Sequence, residues 1–349
     1  MRLKVGKAMQ GQTLSRRQSL AAVPALWTTV TNAAPRIDTR LESRTGPREP
    51  VTAWPARPIR LMVAYPPGGI SDRVARSLAE PLAARLGVPV LVEHRPGAAG
   101  SLALEQLARQ PADGHLLVFS AITPVVAPAG PQRAEAVREI EPVAAVMETP
   151  VLVVGTPALA ASRFEGLQQL ARAAPGAVRW ASSGIGTTGH LVLELVCQAA
   201  DLKIQHIPYK GGGEQIQQAL SGQFEVLSSN LSPAVVKWVH TGRLNALALG
   251  ATQRSPVLPQ VPTLAELGFP SANLSSLFGL FAAAGTPSAL LDRLNAEIQV
   301  AIAHIGLQQE LAQVGSLARP GQRSSFAAAI AQEARTLAPL MAAWRAANP

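Results

Sequence analysis

Two α/β lobes joined by crossing strands, with a cleft between them, are the architecture this sequence predicts, and three observations predict it. Strand-like and helix-like runs alternate from Trp54 onward, which implies parallel or mixed β-sheets flanked by helices. Two glycine-rich, hydroxyl-bearing loops, Tyr65-Pro66-Pro67-Gly68-Gly69-Ile70-Ser71-Asp72 and Ser182-Ser183-Gly184-Ile185-Gly186-Thr187-Thr188-Gly189-His190, each follow a strand-like run and open a helix-like one. The run 143–155 is long and apolar, broken only at Glu148-Thr149-Pro150, which suits a strand that crosses between lobes.

The elements follow in order. Residues 59–64 form a strand that meets the first loop. Residues 72–86 form a helix with Val74, Leu78, Leu82 and Leu86 on one face, in which Pro81 removes a backbone bond and introduces a kink. A strand at 88–93, a turn at Arg95-Pro96-Gly97-Ala98-Ala99-Gly100 and a helix at 102–109 come next. Asp113-Gly114 turns into a strand at 115–120. Beyond the crossing strand the alternation repeats: helix 163–174, strand 178–182, helix 190–200, strand 203–207, helix 214–221, strand 224–229, helix 233–241 and strand 244–250. A Pro-rich connection at 254–262 leads to a strand at 277–283 that returns to the first lobe. Helices at 287–303 and 324–346 complete the chain. The boundaries expected are 1–53 outside the fold, 54–152 and 275–349 for the first lobe, and 153–274 for the second.

The two loops carry the chemistry. Each points free backbone N–H groups and the positive end of a helix at whatever sits in front of it, which suits a carboxylate or a phosphate. One such loop is weak evidence; two of them, half a mature chain apart, imply an anion gripped from two sides. The same residues have plain structural uses, since glycines make turns, Asp72 and Thr187 can cap helices, and His190 can sit in a core.

Composition narrows the classes. The net charge of +9 invites a nucleic-acid reading until the charges are located. Residues 1–34 hold five basic residues and no acid, and 35–53 add a net +1, leaving +3 for the remainder. With 4% aromatic residues and no dense Lys/Arg run, neither a base-stacking platform nor a phosphate-tracking stripe is visible, so no nucleic-acid partner is expected. The leader reads as an export signal: a basic start, Arg16-Arg17, the mostly apolar 21–30, and small residues near Ala33. Its paired arginines resemble a twin-arginine signal, with Ser19 where a large apolar residue is usual. A periplasmic location follows, with cleavage between about residue 34 and residue 54. The single cysteine, Cys197, excludes an intrachain disulfide and is expected as an inert, buried thiol.

The residues also carry a resemblance. Trp54-Pro55-Ala56-Arg57-Pro58-Ile59-Arg60, the Pro-Pro-Gly-Gly loop ending at Asp72, Glu93-His94-Arg95-Pro96-Gly97-Ala98, Ala181-Ser182-Ser183-Gly184 with Gly186-Thr187, and His206-Ile207-Pro208-Tyr209-Lys210-Gly211 are similar to the Bug-type substrate-binding proteins of tripartite tricarboxylate transporters. The likeness extends through Arg254-Ser255-Pro256 and Ala284-Gly285-Thr286-Pro287. It implies a two-lobe, periplasmic-binding-protein-like α/β fold and a monomeric receptor without cofactor, metal or catalysis. Such a receptor closes on a small carboxylate, a di- or tricarboxylate or an aromatic acid, and delivers it to membrane transporter subunits or a sensor. Carried over by position, the resemblance implies ligand contacts from Gly68, Gly69, Ser71 and Asp72 in one lobe and Ser183, Gly186, Thr187 and His190 in the other. Tyr65 stands where Phe is usual and lines the cleft. Ser120, at the carboxyl end of a first-lobe strand, joins the list on the general rule for α/β ligand sites. Ser229 occupies a position where many relatives have an acid, which disfavours recognition of an amino group.

The alternative is an NAD(P)-dependent oxidoreductase. Residues 184–189 read formally as GxGxxG between a strand and a helix. Against it, the following strand ends in Tyr209-Lys210, where the ribose hydroxyls need an acid. No G-x-S-x-G elbow supports a hydrolase, and six dispersed histidines with one cysteine give no metal-ligand spacing.

Overall fold

A computed structural model describes residues 54–128 and 131–347. The leader and its expected cleavage region lie outside the described residues.

The alternation expected from the sequence is present. The elements are β1 (Ile59–Val63), α1 (Ile70–Leu86), β2 (Val90–His94), α2 (Ser101–Leu107), β3 (Leu116–Ala121), α3 (Thr123–Val126), α4 (Pro131–Arg138) and β4 (Ile140–Gly155), followed by α5 (Phe164–Ala173), β5 (Arg179–Ser182), α6 (Thr188–Ala200), β6 (Gln205–Pro208), α7 (Gly212–Leu220), β7 (Val226–Asn230), α8 (Pro233–His240) and β8 (Asn245–Gly250). Then come β9 (Ser275–Ala283), α9 (Ser288–Ile302), α10 (Ile305–Ala312), β10 (Leu317–Ala318) and α11 (Arg323–Ala347). Helix α1 is continuous across Pro81 and buries Val74, Leu78, Leu82 and Leu86 on one face, as the i, i+4 spacing predicts. The helices at 131–138 and 305–312 were not expected.

One strand ties the sheets together. Strands β2, β1 and β3 are parallel, β9 joins β3 antiparallel, and β4 pairs antiparallel with β9 from Ile140 to Pro150. From Val151 to Gly155 the same strand pairs with β7 and β8 instead, and β7 continues through β5 to β6 in parallel. Pro150, with no N–H to donate, stands where β4 changes partners. The sheet is therefore mixed, as expected, with parallel pairs at the outer edges and antiparallel pairs around β4.

Each face of the sheet has its own apolar packing. Around β1, β3 and β9, one face packs Leu78, Leu82, Leu294 and Ile298, and the other packs Leu104, Phe281 and Phe326. Around β5 and β7, Phe164, Trp180, Val192 and Phe269 fill one face, and Phe224, Leu227, Val235 and Leu258 the other. Burial of this many large apolar side chains, at roughly 1.5–3 kcal/mol each, supplies the main driving force. A further cluster brings Leu337 and Met341 of α11 against Val126 of α3 and Leu191 of α6. The last helix thus ties α3, which follows β3, to α6, which opens from the second glycine loop.

Candidate functional site

The first loop is built to leave backbone donors free. Helix α1 begins at Ile70 with Gly69 as its cap, and no side chain closes that end. Arg73 N–H is the first to find an acceptor in the helix, Gly69 O at 3.2 Å, so the N–H groups of Ile70 and Ser71 keep their helix-terminal freedom. Asp72 does not face outward. Its carboxylate accepts from Gly68 N–H at 2.9 Å, from Arg76 Nε at 2.8 Å, and stands 2.8 Å from His94 Nε2. Burial opposes ionisation of this carboxyl, but the Gly68 and His94 hydrogen bonds and the Arg76 charge outweigh it and hold the pKa below the ordinary value. Asp72 therefore clamps the loop from behind.

The second loop repeats the device. Thr187 caps α6, its hydroxyl donating to Gly184 O at 2.7 Å and accepting from His190 N–H at 3.4 Å. Gly186, at φ +82°, gives its N–H to His190 Nδ1 at 3.2 Å. His190 is fully buried, its ring 4.3 Å from that of His206 and 4.8 Å from that of Trp344, with Nε2 3.3 Å from Glu194 Oε1. Burial and the neighbouring His190 push His206 down to about 3, so it stands neutral beside Ser182 Oγ, 2.7 Å away. What remains free at this end are the N–H groups of Thr188 and Gly189. Gly189 is required by close approach: a Cβ there would lie 2.8 Å from Ser228 Oγ and 3.0 Å from Ser228 O.

Two more helices start at the same place. Helix α7 opens at Gly212-Gly213 with Gly211 as an uncapped N-terminus. Helix α8 is capped by Ser232, whose hydroxyl accepts from Val235 N–H. Between them Ser276 of β9 donates to Asn230 Oδ1 at 2.7 Å and stands 2.9 Å from Thr188 Oγ1. That chain of polar groups ties the returning strand to β7 and α6.

These pieces enclose a cavity of about 340 Å³, within the usual size range of small-ligand sites. Its wall includes Ile70 and Ser71 from α1, Thr188 and Gly189 from α6, Gly212 and Gly213 from α7, and Ser232 and Ala234 from the start of α8. Apolar surface comes from Tyr65 and Phe278, whose rings meet edge to face at 5.8 Å, and from Ile216 and Trp238. No Asp, Glu, Lys, Arg or His is among the lining residues. Burial pushes the Tyr65 phenol upward against the opposing hydrogen bonds of Ser120 and Ala121, so it too stays uncharged at neutral pH.

The sequence-derived candidates divide into two groups. Tyr65, Gly68, Gly69, Ser71, Ser183, Thr187 and Ser229 line the cavity. Asp72, Ser120, Gly186 and His190 stand behind it: Ser120 is fully buried next to the Tyr65 hydroxyl, and the other three brace the loops. Sequence reasoning passed over Thr123, Gly212, Gly213, Asn230, Ser232, Trp238 and Ser276. Gly211-Gly212-Gly213 and Ser232-Pro233 carried the same glycine and capping signals as the two main loops. Ser276 and Trp238 had none, since a serine at the start of a strand and a helical tryptophan look ordinary in one dimension.

Other chemistry has little to stand on. No group of three or more His, Cys, Asp or Glu able to hold a metal occurs among the described residues. Cys197 is half-buried, and burial with nearby Glu194 pushes its thiol up to about 12, which makes it a poor nucleophile. Among the described residues no helix is long and apolar enough to cross a membrane.

Known proteins resemble this chain in sequence and in fold. Residues 74–342 match the tripartite tricarboxylate transporter family receptor. BugT of Bordetella pertussis is 34% identical over 290 residues, covering 80% of this chain and 88% of BugT. Among solved structures, the periplasmic binding protein BugD superposes with a TM-score of 0.76 at 26% identity, covering 82% of this chain and 97% of BugD. MatC from Rhodopseudomonas palustris with bound malate does so with a TM-score of 0.76 at 26% identity, covering 82% of this chain and all of MatC (100%). These relatives set aside the oxidoreductase alternative for residues 184–189. The chain belongs to the tripartite tricarboxylate transporter receptor family, whose members are extracytoplasmic substrate-binding proteins and not enzymes.

Proposed function

We propose that this receptor captures a small carboxylate in the cavity at the four helix starts and delivers it to the membrane subunits of a tripartite tricarboxylate-type transporter. The observation that carries this reading is the wall itself: free N–H groups of α1, α6 and α7 converge on one cavity with hydroxyls between them and no fixed negative charge. Each helix start contributes about half a positive charge, and an anion there is stabilised without any lysine or arginine. The malate bound to MatC supports the same ligand class.

In this reading one lobe comprises 54–152 and 275–349, and the other 153–274. Tyr65, Gly68, Gly69, Ser71, Ser183, Thr187 and Ser229 touch the ligand; Asp72, Ser120, Gly186 and His190 hold the contacting groups in place. The protein works as a monomer, is exported by the twin-arginine route, and hands its ligand to membrane transporter subunits or a sensor. A thermal-shift screen of di- and tricarboxylates, aromatic acids and amino acids tests the ligand class. A true ligand at about 100 times its Kd stabilises the fold by about 2.7 kcal/mol. A screen in which no carboxylate raises the melting temperature would overturn the reading.

A further inference from the structure

Behind the junction of β4 and β9 lies a second cavity that the receptor reading does not use. Successive side chains of a strand point to opposite faces: Ser276 lines the cavity at the helix starts, whereas its neighbour Ser275 lines a separate space of about 270 Å³ on the other face. Its wall is assembled from the crossing strand at Glu148 and Pro150, the segment 251–256 that leaves β8, and the stretch 312–317 between α10 and β10. The last two meet closely. Gly315, at φ +60°, allows this, since a Cβ there would collide with Ser255 Oγ.

Two hydroxyls in this wall have nothing to bond. Ser255 and Ser316, only 3% and 5% exposed, come from the two facing segments, and neither Oγ has a hydrogen-bond partner among the described residues. Their backbones are settled, Ser255 O accepting from Leu258 N–H at 3.0 Å and Ser316 N–H donating to Leu311 O at 2.9 Å. A buried hydroxyl left dry and unpaired costs about 1–3 kcal/mol, and the space far exceeds the roughly 10–15 Å³ that a single water needs. The charges on the wall, by contrast, are closed off. Glu148 accepts from Ser275 Oγ through one oxygen and stands 3.1 Å from Arg319 Nε through the other, and Arg254 Nε lies 3.0 Å from both oxygens of Glu266. An ion entering here must break one of these pairs or stay unpaired. Pro150, Ala251, Pro256 and Leu317 contribute apolar surface.

We propose that this cavity is a second ligand site, which takes an uncharged polyol or monosaccharide. Ligand hydroxyls give and receive hydrogen bonds at Ser255 and Ser316, and the ligand's C–H surface lies against the apolar residues. The assignment is independent of what the cavity at the helix starts binds.

The test titrates nitrogen-15-labelled protein and follows its amide signals by NMR. Probes are glycerol, erythritol, xylitol, ribose, xylose and glucose, with glycerate and 3-aminopropane-1,2-diol as the anionic and cationic counterparts of glycerol. At least one neutral probe should shift amide signals within 251–256 and 312–317 saturably, while those of Gly189 and Gly212 at the first cavity stay in place. Ser255→Ala and Ser316→Ala should each weaken that binding about fivefold, the worth of one neutral hydrogen bond, without lowering the melting temperature, because neither hydroxyl has a partner to lose. Ala312→Trp, at an exposed position on the rim, should abolish binding. No saturable shift with any neutral probe overturns the proposal, as does full affinity in both serine variants. Tighter binding of glycerate or the amine than of every neutral probe at these signals overturns the ligand class. A crystal soaked with the best-binding probe that shows only water between the two serines overturns the site as well.

Discussion

Asp72 turns its carboxylate back onto the loop that precedes it, and the energetics of that contact can be read from pH. Its folded pKa lies below the ordinary carboxylate value, so the stabilisation is complete above the unfolded pKa of about 3.9 and is lost as pH falls through the folded one. Asp72→Asn should cost roughly 1.5–3 kcal/mol at pH 7, as expected for hydrogen bonds to a charged group. It should also flatten the loss of stability below pH ~4 in urea titrations. Glu333 on α11 has the opposite sign. Burial and the nearby Glu148 push its pKa up to about 7, so the folded state holds a proton that the unfolded state releases, and stability falls as pH rises from the ordinary carboxylate range through 7. Glu333→Gln should remove that decline and raise the melting temperature at pH 8; an unchanged profile would show that this carboxyl ionises freely in the fold. At this scale the sequence is legible where local chemistry governs. The Gly, Ser and Thr of the two loops announce themselves because turns and caps need those residues. The role of His190 as a brace does not, because Trp344, which packs on its ring, arrives from a distant part of the chain.

In the proposed site the helix starts are the working parts, and their placement depends on how closely each helix approaches its strand. Gly189 lets α6 lie against β7. Gly189→Ala should push the first turn away from Ser228 by a few tenths of an ångström or more, destabilise the protein by about 1–3 kcal/mol through overpacking, and weaken ligand binding measurably by calorimetry. Thr187→Ala removes the cap of the same helix and should cost about 1 kcal/mol in chemical denaturation, with binding weakened as the loop loosens. Retention of wild-type affinity in both folded variants would mean that the start of α6 does not touch the ligand. The order of the strands and longer helices was readable because apolar spacing switches between periods of two and about four residues. The short helix α10 was missed since it follows α9 after two residues, with His304 as the cap between them, and an uninterrupted Ala- and Leu-rich stretch conceals such a break.

The whole molecule turns on β4 and β9. One strand pairs with β9 up to Pro150 and with β7 and β8 beyond it, and β9 itself presents Ser276 to the cavity from its first turn of pairing. The account predicts a hinge where β4 changes partners. Small-angle scattering should give a smaller radius of gyration with ligand than without, whereas an identical radius would indicate a rigid pocket. Alternation and the long apolar run at 143–155 disclosed the crossing strand. The meeting of α11 with α3 and α6 was illegible, because it joins residues far apart in the chain, Val126 and Leu191 with Leu337 and Met341, through side chains that look like ordinary core. The most direct test of the central claim is a crystal structure with a carboxylate identified by thermal shift. The account predicts carboxylate oxygens within hydrogen-bond distance of the N–H groups of Ile70 or Ser71 and of Thr188 or Gly189, with no charged side chain in contact. A carboxylate paired with an arginine or lysine, or bound outside this cavity, would contradict it.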